Sequence, residues 1–445
     1  MRPAARRILP IALAAVALAL AGCTAADDPT IEPGRPPPTG APDRATDRSG
    51  RIVVGLPGEP PTLDPYSPVA SELTWEVVRP VYPSLYRLLP DGNVEPALAT
   101  SIDAGRTSAR VTIRQAFWSD GSPITARDVV RSVGRARSPS GFARIDSARA
   151  RGRRVVVLRG RVRSWQRALA TVAFVLPDGK VDRSIAGGPL RIKSMIPGLE
   201  LVYGPNRKWW GSVGVREVVV RYTRGVEMLL ALLERRRIDV ASIPTSVNLE
   251  ERLDELGLEH AAALGWDSIY LDIGGAGFSD SEVASVFASI DREVIQEGLI
   301  RDDGRITSSL DPAPGPESSK ILATGRRDSL PTGTIQLATA LGDELLEIMQ
   351  RIVQTQVQSG DLEVELVSIE PSDFYGDWMI DDPTDLALRR ASGAPGERGH
   401  PPRGESLPLF HVERVGAWLQ GVAGIRPNPT YDGLLWNVEE WRATS

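Results

Sequence analysis

Cysteine occurs once in the 445 residues, as Cys23, and histidine three times, as His260, His400 and His411. A single thiol excludes an internal disulfide framework, so the folded chain must be held by its core alone. Three scattered histidines without a second cysteine make no metal-ligand set, and neither an H-E-x-x-H segment, a P-loop nor a G-x-S-x-G elbow is present. A triad can assemble from distant residues, but ordinary packing or solvation is the expected role of a lone histidine such as His411. Basic charge is not in excess: 52 Lys and Arg stand against 57 Asp and Glu, a net charge of −5. That balance gives no sign of a nucleic-acid partner, which would call for a basic stripe. Long apolar runs are missing beyond the first residues, which excludes a second membrane span.

What is present begins with Arg2, Arg6 and Arg7, followed by an apolar run from Ile8 to Ala21. The run is too short to cross a bilayer at helical rise and reads as a signal peptide over residues 1–22. It closes on Leu20-Ala21-Gly22-Cys23, which resembles the bacterial lipobox. Cys23 would then be the acylated first residue of the mature chain, anchored at the outer face of the cytoplasmic membrane. An ordinary signal peptide with a chance cysteine is the plainer alternative. Residues 23–50 are rich in Pro, Thr, Asp, Gly and Arg and poor in large apolar side chains. They cannot bury enough surface to offset their ordering entropy and read as a disordered tether.

The body alternates strand and helix signals, an α/β pattern. Arg51–Leu56 starts it as a strand, and further β-branched runs recur at Ala109–Arg114, Arg154–Leu158 and Glu217–Tyr222. Thr125 with Asp128, and Ser279 with Glu282, have capping-box spacing ahead of apolar residues at helical period. Ile335–Leu337, the amphipathic segment Leu341–Val357 and the alternating Leu362, Val364 and Leu366 predict a β-α-β unit. Arg305–Pro331 and Ala391–Ser406 are Gly-, Pro- and Arg-rich and read as loops. The length suggests two or three domains.

Several segments, in order, resemble the family 5 extracellular solute-binding proteins, the peptide- and nickel-type receptors of ABC importers. Pro61-Thr62-Leu63-Asp64-Pro65 is similar to the family's opening motif. Pro83-Ser84-Leu85-Tyr86, Asp91-Gly92 and Val94-Glu95-Pro96-Ala97-Leu98-Ala99 are similar to its next conserved segment. The most specific match is Phe117-Trp118-Ser119-Asp120-Gly121-Ser122-Pro123-Ile124-Thr125-Ala126-Arg127-Asp128-Val129-Val130. Gly187-Gly188-Pro189, Asn206-Arg207-Lys208-Trp209-Trp210-Gly211, Arg237-Ile238-Asp239-Val240 and Ile290-Asp291-Arg292 continue the series. Physically these residues read as scaffold: Asp120-Gly121 as a turn, Gly187-Gly188-Pro189 as a strained bend, and Trp209-Trp210 as core packing.

The resemblance implies a two-lobed periplasmic-binding-protein-like fold of type II with an appended small domain and a hinge. Residues 51–84, 179–265 and 412–445 would form the main lobe, 85–178 the small domain and 266–411 the second lobe. It also implies a cleft lined by Tyr66, Trp75, Tyr270 and Trp378. Asp381, with Asp382 as second choice, would pair with a cationic ligand group, although both could simply cap a turn. After Asp382-Pro383 the family's usual long stretch is replaced by the run Ala391–Pro408, so the second lobe reads as shortened. Gly274, after the strand Ser268–Ile273, also stands where the family has Asn, and ligand type therefore does not transfer.

The expected function is lipid-anchored capture of a small solute or short peptide by a monomer, with no cofactor, no metal and no nucleic acid, and delivery to an importer permease. A receptor signalling to a membrane partner without transport, or an anchored hydrolase, are the alternatives.

Overall fold

The computed structural model describes residues 50–136, 140–273, 277–301, 304–306, 330–374, 385–392, 406–428, 430 and 432–443. Cys23, the tether, most of the loops at 305–331 and 391–406, and Trp378, Asp381 and Asp382 lie outside them. Among the described residues no helix is long and apolar enough to cross a membrane.

The strand Arg51–Leu56 sits in the middle of the largest sheet, parallel to Glu217–Tyr222 on one side and to Val240–Pro244 on the other. Its Ile-Val-Val centre and the Val-Val-Val of its neighbour have the continuous apolar character required of strands covered on both faces. Beyond Glu217–Tyr222 the sheet continues through the antiparallel strands Glu200–Pro205 and Leu190–Ile196. Beyond Val240–Pro244 it passes into two long antiparallel strands, Ser406–Trp418 and Glu259–Ile273. It then reaches Leu386–Ser392, Gly333–Ala340 and Leu362–Ile369, which run parallel to one another.

Those two long strands each serve two cores. Their first paired stretch, Glu259–Leu264 against Glu413–Trp418, adjoins Val240–Pro244, while Asp267–Ile273 adjoins Leu386–Ser392. The register slips between Leu264 and Asp267, and again between Ile269 and Tyr270. A slip of this kind bends and twists a strand. One set of apolar clusters draws on residues 52–258 and 415–441, and the other on 269–412. The change of core thus coincides with the bend.

Local signals explain the elements around this frame. Thr125 caps the helix Ala126–Arg135, and Asp128 reaches back to the Thr125 amide at 2.7 Å. Ser279 and Glu282 form the same reciprocal cap on Asp280–Ser289. The β-α-β unit forms with its helix at Glu344–Val357, starting from Asp343, because Gly342 at φ +81° turns the chain first. Gly121 takes the positive φ that its turn requires.

Gly187 and Gly188 differ from expectation: neither adopts a positive φ. Their lack of a side chain serves close approach, since a Cβ on Gly188 would stand 2.3 Å from the Pro80 carbonyl oxygen and one on Gly187 would meet the Trp118 ring at 2.6 Å. Trp209 and Trp210 are half-buried rather than core residues, with the Arg114 guanidinium over the Trp210 ring. A separate four-stranded antiparallel sheet, in the order Ala99–Ala104, Ser108–Ile113, Val155–Gly160, Ile145–Arg151, packs its Val111, Ile113, Val156 and Leu158 face into the first core.

Candidate functional site

Strand direction locates the site. In the first half, Leu56, Tyr222 and Pro244 are the carboxyl ends of parallel strands, and Pro244 lies opposite Arg414. In the second half, Ala340, Ile369 and Ser392 are the carboxyl ends, and Ser392 lies opposite Asp267, which itself pairs with Val412. Both carboxyl edges therefore converge on the bend of the long strands. In open α/β sheets ligands sit outside the carboxyl ends of the strands, so the seam between the two edges is the candidate site.

From the first half the seam receives the loop after Leu56, the helix Glu72–Val78, the start of the helix Gly225–Glu234 and the segment 245–248. From the second it receives residues 341–343, the start of Glu344–Val357 and Arg390. Arg390 crosses it. Its Nη2 donates to the Thr245 carbonyl at 3.0 Å, while Nε and Nη2 donate to the Asp343 carboxylate, both at 3.1 Å. The Arg390 side chain is only 8 % exposed, a setting in which charge-assisted hydrogen bonds hold firmly. Asp343 also accepts from the Leu346 amide at 3.2 Å as the cap of its helix. A second crossing joins Arg301 Nη1 to Asn248 Oδ1 at 3.1 Å. Gly225 faces Gly342 so closely that a Cβ would stand 3.3 Å from its carbonyl oxygen.

The expected cleft residues fall in different places. Tyr66 is buried in the first half, where its hydroxyl donates to the Phe174 carbonyl at 2.6 Å and burial pushes its pKa far up. Trp75 is buried beside it, with Nε1 donating to the Pro65 carbonyl at 3.1 Å. The two are thus tied to one loop, Asp64–Tyr66, itself fixed by Asp64 to Arg135 at 2.6 Å. Tyr270 is buried in the second half, opposite Arg389 and Pro408 in the strand register. Trp378, Asp381 and Asp382 are outside the described residues, between the helical turn Pro371–Phe374 and the strand Leu386–Ser392.

Sequence reading missed Arg390, Asp343 and Thr245. A signal existed: Arg389-Arg390 interrupts the apolar strand pattern Leu386-Ala387-Leu388. Arg389 points the other way, wholly buried, with Nε 2.8 Å from Asp272 and its guanidinium over the Phe374 ring at 4.9 Å. In the first half a comparable buried pair, Arg79 with Asp432, ties the helix Glu72–Val78 to the C-terminal segment. Burial raises the Asp432 pKa and lowers that of Arg79, because it penalises each charge.

Ser268 and His411 face each other across the long strands, with Oγ 2.8 Å from Nδ1. Ser268 is buried, and the pair bridges two strands at the bend. Among the described residues no three His, Cys, Asp or Glu side chains gather as metal ligands. A pocket of about 170 Å³ lies between Leu233, Arg236, Leu256 and Leu419, at the amino end of Val240–Pro244 and so at the edge opposite the seam.

Over residues 93–347 the sequence matches the model of the bacterial extracellular solute-binding proteins, family 5 (middle). The chain belongs to this family. Its fold is similar to that of the murein tripeptide binding protein of Escherichia coli (TM-score 0.76, 16 % identity, 89 % of this chain and 99 % of that one). The oligopeptide-binding protein AppA of Bacillus subtilis, in complex with a nonapeptide, gives a TM-score of 0.73 at 17 % identity over 89 % and 99 % of the two chains. NikZ of Campylobacter jejuni, in complex with Ni(L-His), gives 0.71 at 14 % identity over 88 % and 99 %. No curated protein matches the sequence. At these identities the likeness is one of fold alone.

Proposed function

We propose that this family 5 protein is the solute-capturing subunit of an ABC importer, anchored through an acylated Cys23, which closes its two halves on a small solute or short peptide. The reading rests chiefly on the convergence of both carboxyl edges at the bend of Glu259–Ile273 and Ser406–Trp418. Residues 51–84, 179–265 and 412–445 would move as one lobe, carrying 85–178 as a small domain. Residues 266–411 would move as the second, shortened lobe. Bending at Leu264–Asp267 and at Val412 would widen or narrow the seam without breaking either core. Ligand then acts by shifting the population toward closure, to the extent that it binds the closed form more tightly.

Within the closed seam, Trp378 would supply an apolar wall and Asp381 or Asp382 an anionic partner for a cationic group. Tyr66, Trp75 and Tyr270 would act from behind, holding the walls. The permease would read the closed form, and no catalytic step is assigned.

Mass spectrometry of small molecules released from the gently denatured protein tests the reading, followed by titration of the recovered solute. A stoichiometry of one per chain and a thermal shift that grows with its concentration are expected. Failure of a broad peptide, chelate and sugar screen to shift the melt would favour a signalling receptor instead.

A further inference from the structure

The net charge of −5 conceals a strong local asymmetry. Between residues 144 and 167 the chain holds nine arginines and one acid, Asp146. The four-stranded sheet displays several of them on one face. In the register, Arg110 and Arg149 both lie opposite Val157, Arg151 lies opposite Val155, and Arg159 lies opposite Ser108 and Ser147. These positions share the side of the sheet that faces away from the buried Val111, Val156 and Leu158, and all four arginines are exposed. Arg153, in the turn that joins the edge strand Ile145–Arg151 to its inner neighbour Val155–Gly160, extends the row.

Among the described residues none of these five makes an ion pair, although Asp103 lies opposite Arg110. Arg159 is the diagonal neighbour of both Arg110 and Arg149 in the register, within reach of long side chains, and like charges so placed repel; solvated surfaces normally intersperse both signs. An external anionic surface removes that penalty. The face is roughly 15 Å across its four strands, and half-buried Val155 and Val157 lie among the guanidinium groups. The paired positions of this face hold no aromatic side chain to stack on a base, so a layer of anionic headgroups fits it better than a single-stranded polyanion would.

We propose that this arginine face docks the small domain onto an anionic phospholipid leaflet. The choice of partner rests on the anchored reading given above: the 27 residues from Cys23 to Ser49, even fully extended, carry the body no more than about 95 Å from the membrane. Contact of the face with the leaflet would fix how the body is presented above it, which an anchor alone leaves open.

The test uses the mature chain from residue 23 with Cys23→Ser, so that no acyl chain contributes, and vesicles of phosphatidylcholine with or without about 30 mol % phosphatidylglycerol. Binding is expected only with the anionic lipid, and should fade as salt rises from about 0.05 M to about 0.3 M. Each arginine near such a surface contributes about fivefold in affinity, so Arg149→Gln with Arg151→Gln should weaken binding about 25-fold. Arg149→Lys with Arg151→Lys should bind as the parent does. Arg235→Gln with Arg237→Gln, exposed elsewhere, should change nothing, and thermal melts verify that each variant is folded. Equal binding to phosphatidylcholine alone, no binding at low salt, or equal losses in the two Gln pairs would overturn the proposal. So would tighter binding to a DNA duplex than to the vesicles. None of these results bears on acylation, which membrane fractionation of Cys23→Ala tests separately.

Discussion

Removing the guanidinium of Arg390 perturbs the seam at its most direct crossing. The side chain serves both halves at once, holding Asp343 in its own half and the Thr245 carbonyl in the other. A buried hydrogen bond from a charged donor contributes about 1.5–3 kcal/mol. Opening the seam lets water replace the Thr245 carbonyl, so the net gain in the closed form lies at or below the lower limit, about 1–1.5 kcal/mol. Arg390→Ala should therefore lower the ratio of closed to open forms about five- to thirteen-fold. A lysine cannot reproduce the fork and should fall between the two. Met228 and Leu341 are exposed and flank the close approach of Gly225 to Gly342, which makes them suitable label positions. With Cys23 replaced by serine, Met228→Cys and Leu341→Cys can carry a nitroxide pair whose dipolar broadening reports closure. Broadening should fall in Arg390→Ala, and the apparent Kd of a ligand that selects the closed form should rise by the same factor. Unchanged broadening in a folded Arg390→Ala protein would refute the assignment of Arg390 as a bridge between moving parts.

Three further outcomes rest on the same geometry. Asp272→Ala should destabilise the second half by about 3–5 kcal/mol, because it leaves the wholly buried Arg389 without its carboxylate; denaturant titration measures this. Glu282 titrates below its ordinary value of 4.5 because the Ser279 hydroxyl and amide donate to it. A depressed carboxyl pKa gives stability that is present above the ordinary value and lost as pH falls through the folded one. Thermal melts should therefore show an acid-dependent loss below about pH 4.5 that is smaller in Glu282→Gln. Finally, calorimetry with an identified cationic solute should show Asp381→Asn weakening affinity roughly ten- to a hundred-fold, and unchanged affinity there and in Asp382→Asn would move the anionic partner elsewhere.

What was legible in the sequence was whatever depends on neighbours along the chain. Thr125 with Asp128, and Ser279 with Glu282, mark their helices because a cap is satisfied within three residues. The unit Ile335–Leu366 was readable for the same reason, its strand and helix periods succeeding one another without interruption. The long strand Glu259–Ile273 was readable only over Ser268–Ile273. Its first part, Glu259-His260-Ala261-Ala262-Ala263-Leu264, is rich in helix-forming alanine, and is a strand because it pairs with Glu413–Trp418, some 150 residues away in the register. The seam inherits this difficulty. Arg390 acquires its meaning from Asp343 and from Thr245, the latter 145 residues distant, and Arg389 from Asp272.

The basic face was hidden for a related reason. The alternation Ser-Ala-Arg-Ala-Arg over 147–151 has the period of a strand, but it has no β-branched residue and pairs only because Val155–Gly160 lies beside it. Net charge averages that strand with the acidic remainder of the chain, so whole-chain balance gives no sign of the basic row that the sheet register assembles. Charge counted over the whole chain constrains solubility and long-range attraction. Charge counted over one face of one sheet constrains what can lie against it, and for this protein the two counts have opposite sign.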